Sequence, residues 1–296
     1  MKKEPKKTDS KKITTKIAES PSRPADFSRI AILGGGNIGQ SMARGLVVSK
    51  KYTPDQITIT RRQIRFLDSF KSDGYEVTED NRAAVSAAGI IVLAVRPLQL
   101  PGLLQEIREV LDPQKHLVIS VVTDAWIRDI QREIGKNVPV IRAMPNIAIS
   151  IGESMTCLSA EPQNRQFLKI AEDLFNLVGK ALVIEEEYMI PATALCACGV
   201  AFFLRSIRAA AQGGIEIGFH AEDAIMIAAQ TAKGAASIIL NSGSHPETEI
   251  DKVTTPRGCT IAGLNQMEHQ GFSSAMIKGI ITSAEKAAQL FTHNEK

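Results

Sequence analysis

Apolar positions along this chain change rhythm once, near residue 187. Before that point, short apolar runs bounded by glycine or polar residues alternate with stretches of helical period. Arg29-Ile-Ala-Ile-Leu33 stops at glycines and reads as a buried strand. Gln56-Ile-Thr-Ile-Thr60 alternates and is β-branched, a second strand. The same reasoning predicts strands over 75–78, 89–95, 116–122 and 138–142. Helices are predicted over 38–49, 62–72, 81–88, 98–110 and 125–134. Two more strands, 152–158 and 181–185, flank a helix near 163–178. Such alternation implies a parallel sheet with right-handed crossovers. Beyond residue 187 the pattern becomes Ala-rich and helical throughout: 189–217, 221–241 and 260–291, the last broken around Gly271.

Composition changes this picture little. The 296 residues are 44% apolar and 23% charged, which suits packed globular domains. Charge is more telling. The first 25 residues hold seven Lys and one Arg against Glu4, Asp9 and Glu19, whereas the rest of the chain is nearly balanced. A neutral body gives no reason to expect a nucleic-acid partner. Residues 1–27 are read as a disordered basic tail, without the apolar core of a secretory signal or the Arg-rich character of a transit peptide. The longest uncharged apolar stretch, 189–204, falls short of the ~20 residues a bilayer demands, so no membrane partner is expected. The cysteines Cys157, Cys196, Cys198 and Cys259 have no zinc spacing, the histidines no ligand spacing, and no metal is expected. Cys196 and Cys198 read as buried thiols on an apolar helix. A cytoplasmic location follows as the default.

Chemistry enters at Gly34-Gly-Gly36-Asn-Ile-Gly39, a G-x-G-x-x-G match that follows a strand and opens a helix. Gly34 permits the tight turn, Gly36 lets backbone approach a pyrophosphate, and Gly39 allows close helix packing. The helix start offers free N–H groups, including those of Asn37 and Ile38, to the phosphates. The end of the second strand carries Thr60-Arg61-Arg62 where an NAD-type site would place an acid. Two guanidiniums suit a ribose 2′-phosphate by charge and fork geometry, so NADPH is favoured, with NADH the alternative.

With these pieces together, the chain resembles pyrroline-5-carboxylate reductases over nearly everything after residue 28. The most specific stretch is Asp251-Lys-Val-Thr-Thr-Pro-Arg-Gly-Cys-Thr-Ile-Ala-Gly-Leu264. Val253, Thr254, Pro256, Gly258, Thr260, Ile261 and Leu264 match that family's Val-Thr-Ser-Pro-Gly-Gly-x-Thr-Ile-x-x-Leu signature. Ala94-Val-Arg-Pro97, Arg142-Ala-Met-Pro-Asn146, Asp80-Asn81 and His245-Pro246 support it. The resemblance implies an α/β fold: an N-terminal Rossmann dinucleotide-binding domain (28–186) and a C-terminal all-helical dimerisation and substrate domain (187–296). It implies a homodimer or higher oligomer through the C-terminal helices, with sites formed between one copy's helices and another's nucleotide domain. It also implies reduction of the C=N bond of 1-pyrroline-5-carboxylate to L-proline. Gly34 to Gly39, Arg61 and Arg62 would hold the cofactor phosphates, and Asn81 would sit near the adenosine. Ala94, Val95, Arg96 and Pro97, with Met144 and Asn146, would line the nicotinamide. Thr255, Gly258, Cys259 and Thr260 would bind substrate. Four departures stand out. Arg257 replaces a family glycine, Cys196-Ala-Cys-Gly-Val200 replaces Ser-Gly-Ser-Gly-Pro, Ile147-Ala148 replaces Thr-Pro, and Ile190 replaces a common Asp.

Imine reduction by hydride needs no nucleophile and no metal. It needs an oriented nicotinamide, a donor near the ring nitrogen and an anchor for the carboxylate. Gly258, Cys259 and Thr260 open a helix and can present free N–H groups to a carboxylate. The Thr260 hydroxyl is the candidate catalytic donor, its plainer reading being a helix N-cap. Arg257 adds either a charge-assisted contact to a ligand anion or a solvated loop side chain. Two rival readings remain. One is a related imine reductase or β-hydroxyacid dehydrogenase, the latter requiring a catalytic lysine for which Lys233 is the available residue. The other is an NADP-sensing regulator without catalysis.

Overall fold

The computed structural model describes residues 26–123 and 125–292, so residues 1–25 of the tail expected over 1–27 lie outside the described residues, while Phe27 packs against the core. The chain begins there with β1 (Ile30–Leu33), α1 (Asn37–Val48), β2 (Ile57–Thr60), α2 (Asp68–Ser72), β3 (Glu76–Thr78) and α3 (Asn81–Ser86). It continues with β4 (Ile90–Leu93), α4 (Leu100–Ile107), β5 (Leu117–Ser120), α5 (Ile127–Ile134) and β6 (Val140–Met144). Then come β7 (Ser154–Ala160), α6 (Leu168–Asn176) and β8 (Gly179–Val183). The strands form one sheet in the order β3-β2-β1-β4-β5-β6-β7-β8.

Successive side chains on a strand point to opposite faces. Ile30 and Ile32 therefore join Ile57, Ile59, Phe70 and Phe175 in one buried layer. Ala31 and Leu33 join Ile91, Leu93, Leu104 and Ile130 in the other. Both faces are covered by helices, which is why these strands read as continuous apolar runs. The chain reverses its direction of sheet growth between β1 and β4, which are parallel neighbours. In open sheets of this kind, ligands bind at the carboxyl ends of the strands flanking that reversal.

One expectation is corrected. The sheet is not wholly parallel: β7 runs antiparallel to β6, with Met144 opposite Cys157. Only a short 3-10 turn, Ile147–Ile151, lies between the two strands. A parallel return needs a crossover of about a dozen residues or more, usually helical. β8 then pairs parallel to β7.

The remainder is helical. The run expected as one helix over 189–217 is divided into α7 (Met189–Ala192), a π-helical turn (Thr193–Cys198) and α8 (Gly199–Glu216). It is followed by α9 (Ala221–Ser242), α10 (Pro246–Lys252), α11 (Cys259–His269) and α12 (Phe272–Thr292). The expected break at Gly271 is present, with φ at 77°. Helix α10 was not anticipated. Pro246 at its first turn and the His245 ring accepting the Glu247 N–H start it. Few side chains of α8 and α9 are buried within the single chain, and Phe203, Leu204, Met226 and Leu240 stand exposed. Residues 186–216 and 221–242 form helices long and apolar enough to cross a bilayer by length and composition alone.

Candidate functional site

The glycine turn after β1 divides its work among three residues. Gly34 holds φ at 119°, and a Cβ there would lie 2.4 Å from the Ala94 carbonyl oxygen at the end of β4. A Cβ on Gly39 would lie 2.2 Å from the Gly34 carbonyl oxygen, so α1 can sit this close to the turn only without a side chain. Gly36 is different: nothing lies within 4 Å of the Cβ position, and its open side faces a cavity of about 750 Å³. Gly36 is the N-cap of α1 and supplies no side-chain acceptor. The first amides of the helix, those of Asn37, Ile38 and Gly39, therefore lack a capping side chain, the arrangement that attracts a phosphate.

Thr60, Arg61 and Arg62 form another wall of the cavity. Arg61 is partly committed to the fold. Its guanidinium lies 4.3 Å from the centre of the Phe66 ring, and Nη1 donates to the Gly35 carbonyl at 2.7 Å. It clamps the glycine turn while keeping its charge at the cavity. Arg62 is exposed at the rim. The Thr60 hydroxyl donates to Asn81 Oδ1 at 2.6 Å, and Asn81 Nδ2 donates to the Glu106 carboxylate at 3.0 Å. This chain fixes the orientation of the Asn81 amide. Glu79, Gln63, Leu98 and Gln99 also face the cavity and were not anticipated. Glu106 comes from α4, 25 residues from Asn81, so no local pattern exposes the pairing.

Ala94, Val95 and Arg96 line the same cavity, whereas Pro97 begins the 3-10 turn behind it. Met144 and Asn146 are buried and do not face it. Asn146 is heavily bonded: Oδ1 accepts from the Ala148 N–H, Nδ2 donates to the Cys196 carbonyl at 3.2 Å, and the backbone N–H donates to Ser154 Oγ. Cys196 and Cys198 are half-buried rather than buried, because the π-helical turn leaves this segment at the surface of the single chain.

The second cluster of expected residues sits elsewhere, at the start of α11. The Gly258 N–H donates to the Thr255 carbonyl at 2.9 Å, closing a turn in which Arg257 takes φ 62°. A Cβ on Gly258 would meet Thr255 Oγ1 at 2.5 Å, so a side chain there would have to displace the Thr255 hydroxyl. Gly258 is itself the N-cap and again gives no side-chain acceptor. Thr260 is the second helical residue, not the cap, which removes the plainer reading of its hydroxyl. Helix α11 packs chiefly on α12, and the cavity at the glycine turn has no lining residue from it. Within one chain the glycine-turn cavity and the start of α11 are thus separate. Lys233, the lysine a β-hydroxyacid dehydrogenase would need, is exposed on α9.

A doubly wound sheet with an open glycine turn at its reversal point, followed by an all-helical half, defines a dinucleotide-binding oxidoreductase fold with an appended helical domain. Comparisons sharpen this class. Residues 29–124 match the family model described as NADP oxidoreductase coenzyme F420-dependent, and residues 186–290 match that for pyrroline-5-carboxylate reductase dimerisation. The chain is 53% identical over 279 residues to pyrroline-5-carboxylate reductase 1 of Dictyostelium discoideum, covering 90% of this chain and 50% of that protein. It is 48% identical to pyrroline-5-carboxylate reductase 2 of the same organism, covering 88% and 92%. It thus spans half the length of the first relative and nearly all of the second. Among solved structures, a pyrroline-5-carboxylate reductase from Coxiella burnetii superposes with a TM-score of 0.81 at 29% identity, covering 90% and 99%. The Plasmodium falciparum pyrroline carboxylate reductase, solved with NADP bound, has the same fold, with a TM-score of 0.79 at 22% identity, covering 89% and 98%. The chain belongs to the pyrroline-5-carboxylate reductase family.

Proposed function

We propose that this chain reduces 1-pyrroline-5-carboxylate to L-proline with NADPH, in the cytoplasm, as a homodimer or higher oligomer. The observation that carries the reading is the match of both halves, the nucleotide half over 29–124 and the helical half over 186–290, within one chain 48% identical to a reductase of nearly the same length. The cavity supports the cofactor. The space open beside Gly36, the uncapped start of α1 and the Arg61–Arg62 pair suit a dinucleotide carrying a 2′-phosphate. NADPH, when bound, supplies the hydride. Residues 28–186 form its domain, and residues 187–296 bring the substrate half-site and the contact between copies.

The chain's own part is positioning. Amide N–H groups of Cys259 and Thr260 hold the substrate carboxylate at the positive end of α11; Gly258, expected to give a third, spends its own N–H on the Thr255 carbonyl. The Thr260 hydroxyl donates to the ring nitrogen as the C=N carbon accepts hydride; the nitrogen gains a proton while the π bond is lost, and the hydroxyl regains its own from water. Arg61 and Arg62 hold the 2′-phosphate, and Asn81, oriented by Thr60 and Glu106, meets the adenosine.

The test is turnover by the purified full-length chain with pyrroline-5-carboxylate, followed as loss of NADPH absorbance with NADH in parallel. NADPH oxidation with stoichiometric proline is expected. NADPH binding without turnover would overturn the proposal in favour of a cofactor-sensing role. Thr260→Ala should lower kcat at least ~10-fold with little change in NADPH affinity, as expected for loss of a proton donor.

A further inference from the structure

Two of the four cysteines meet although they are far apart in sequence. Cys157 lies buried on β7, and Cys196 lies half-buried in the π-helical turn. Their sulfurs are 3.5 Å apart. Cys157 belongs to a small apolar cluster with Met144, Met189 and Ala192, against which Cys196 packs. Backbone links tie the pair to the candidate nicotinamide residues. Cys157 is the register partner of Met144, and the Cys196 carbonyl accepts from Asn146 Nδ2 at 3.2 Å.

We propose that Cys157 and Cys196 form a peroxide-sensitive dithiol that closes to a disulfide and thereby slows the enzyme. The geometry assigns each sulfur a part. Cys196, the more accessible, meets the oxidant, and Cys157, buried behind it, resolves the product. The sulfur–sulfur contact with Cys157 lowers the Cys196 thiol below the ordinary range, which favours its thiolate. The Cys157 thiol is pushed above the ordinary range, first by Cys196 beside it and then by burial, and keeps its proton until needed.

The steps balance. The Cys196 thiolate attacks one oxygen of hydrogen peroxide, the O–O bond breaks, and hydroxide leaves a sulfenic acid on Cys196. Cys157 sulfur then attacks the Cys196 sulfur. Its proton passes to the departing hydroxide, and water leaves as the S–S bond forms. In sum two thiols lose two electrons and two protons, and one peroxide becomes two waters. The sulfurs must close from 3.5 Å to the ~2.05 Å of a disulfide. That movement pulls the π-helical turn toward β7 and shifts the carbonyl that holds the Asn146 amide.

The test treats the reduced full-length protein with hydrogen peroxide at neutral pH. Peptide mapping should recover the segment holding Cys157 joined to that holding Cys196, with a mass loss of two hydrogens reversed by dithiothreitol. NADPH oxidation should fall at least several-fold as the cross-link forms and return on reduction. Cys157→Ala should stop cross-linking and accumulate a sulfenic acid at Cys196 that dimedone traps. Cys196→Ser should abolish both. The peptide and dimedone readouts require no turnover, so they stand whether or not the chain reduces pyrroline-5-carboxylate. Peroxide oxidation that maps to Cys198 or Cys259, leaving Cys157 and Cys196 reduced, would overturn the proposal. So would inactivation of Cys157→Ala and Cys196→Ser at the same rate as the parent protein.

Discussion

Arg257 holds φ at 62° in the turn that ends at Gly258, a conformation L side chains adopt only at a cost. The side chain is exposed and the strain is local. Replacing it with glycine removes that strain but loosens the unfolded chain, which offsets part of the gain. Arg257→Gly should therefore stabilise the fold by about 0.5–1 kcal/mol, whereas Arg257→Ala, with its Cβ retained, should not. Chemical denaturation of the three proteins decides it, and equal midpoints for glycine and alanine would show that the turn carries no strain. His116 makes a second prediction. It is buried, and its Nδ1 accepts the Asp112 N–H at 2.8 Å. Burial pushes its pKa below the ordinary 6.5. Between that lowered value and 6.5 the unfolded chain binds more protons than the folded one, so stability rises with pH there. His116 therefore contributes stability that is present above about pH 6.5 and lost as acid protonates the ring. Melting temperatures of the parent protein should fall more steeply from pH 7.5 to 5.5 than those of His116→Asn; parallel slopes would remove the histidine from the account.

At the scale of elements, the glycine turn separates fold from function. Gly36 has φ −84° and open space beside it, so a side chain there strains nothing in the protein itself. Gly36→Val should leave the melting temperature of the unliganded protein unchanged within error and weaken NADPH binding at least ~10-fold, about 1.4 kcal/mol. Gly39→Ala should do the reverse at first, destabilising by about 1–3 kcal/mol through a contact the backbone must yield to. Calorimetry of both variants with and without NADPH checks the pair, and equal thermal losses would mean that the open side of Gly36 is not where the dinucleotide passes. The three glycine positions were legible because the turn is a local pattern, a fixed spacing between a strand and a helix. The antiparallel β7 was not, since a period of two records which face a residue takes but not which way its strand runs. The π-helical turn was hidden because residues 193–198 keep an apolar helical rhythm. Helix α10 spans only seven residues, too few for a period to stand out. Glu106 on Asn81 and Cys157 beside Cys196 arise from tertiary packing, and nothing local predicts them.

The whole molecule poses the question of what covers its helical half. Phe203, Leu204, Met226 and Leu240 leave large apolar side chains in the open, more than a protein surface retains without a partner. Length and hydropathy would let two of these helices cross a bilayer, yet both lie within residues 186–290, the stretch that matches a dimerisation domain. A second copy would cover these side chains and, on the proposed function, would also bring together the cavity by Gly36 and the amide cradle after the Gly258 turn, which lie on elements that do not meet in one chain. If a partner's cradle completes the cavity, breaking the assembly should stop turnover without emptying the nucleotide site. Ile227 and Ile238 are exposed on one face of α9, three turns apart. Converting both to Glu adds two carboxylates to this apolar face of α9 in each copy, and like charges brought together in an apolar contact between copies would be costly. The doubly substituted protein should sediment as a monomer, bind NADPH with near-parent affinity, and lose at least ~10-fold in turnover, since the cradle no longer adjoins a nicotinamide. A monomer that still reduced substrate at the parent rate would show that each chain closes its own site, and the proposed sharing of the cradle between copies would have to be abandoned.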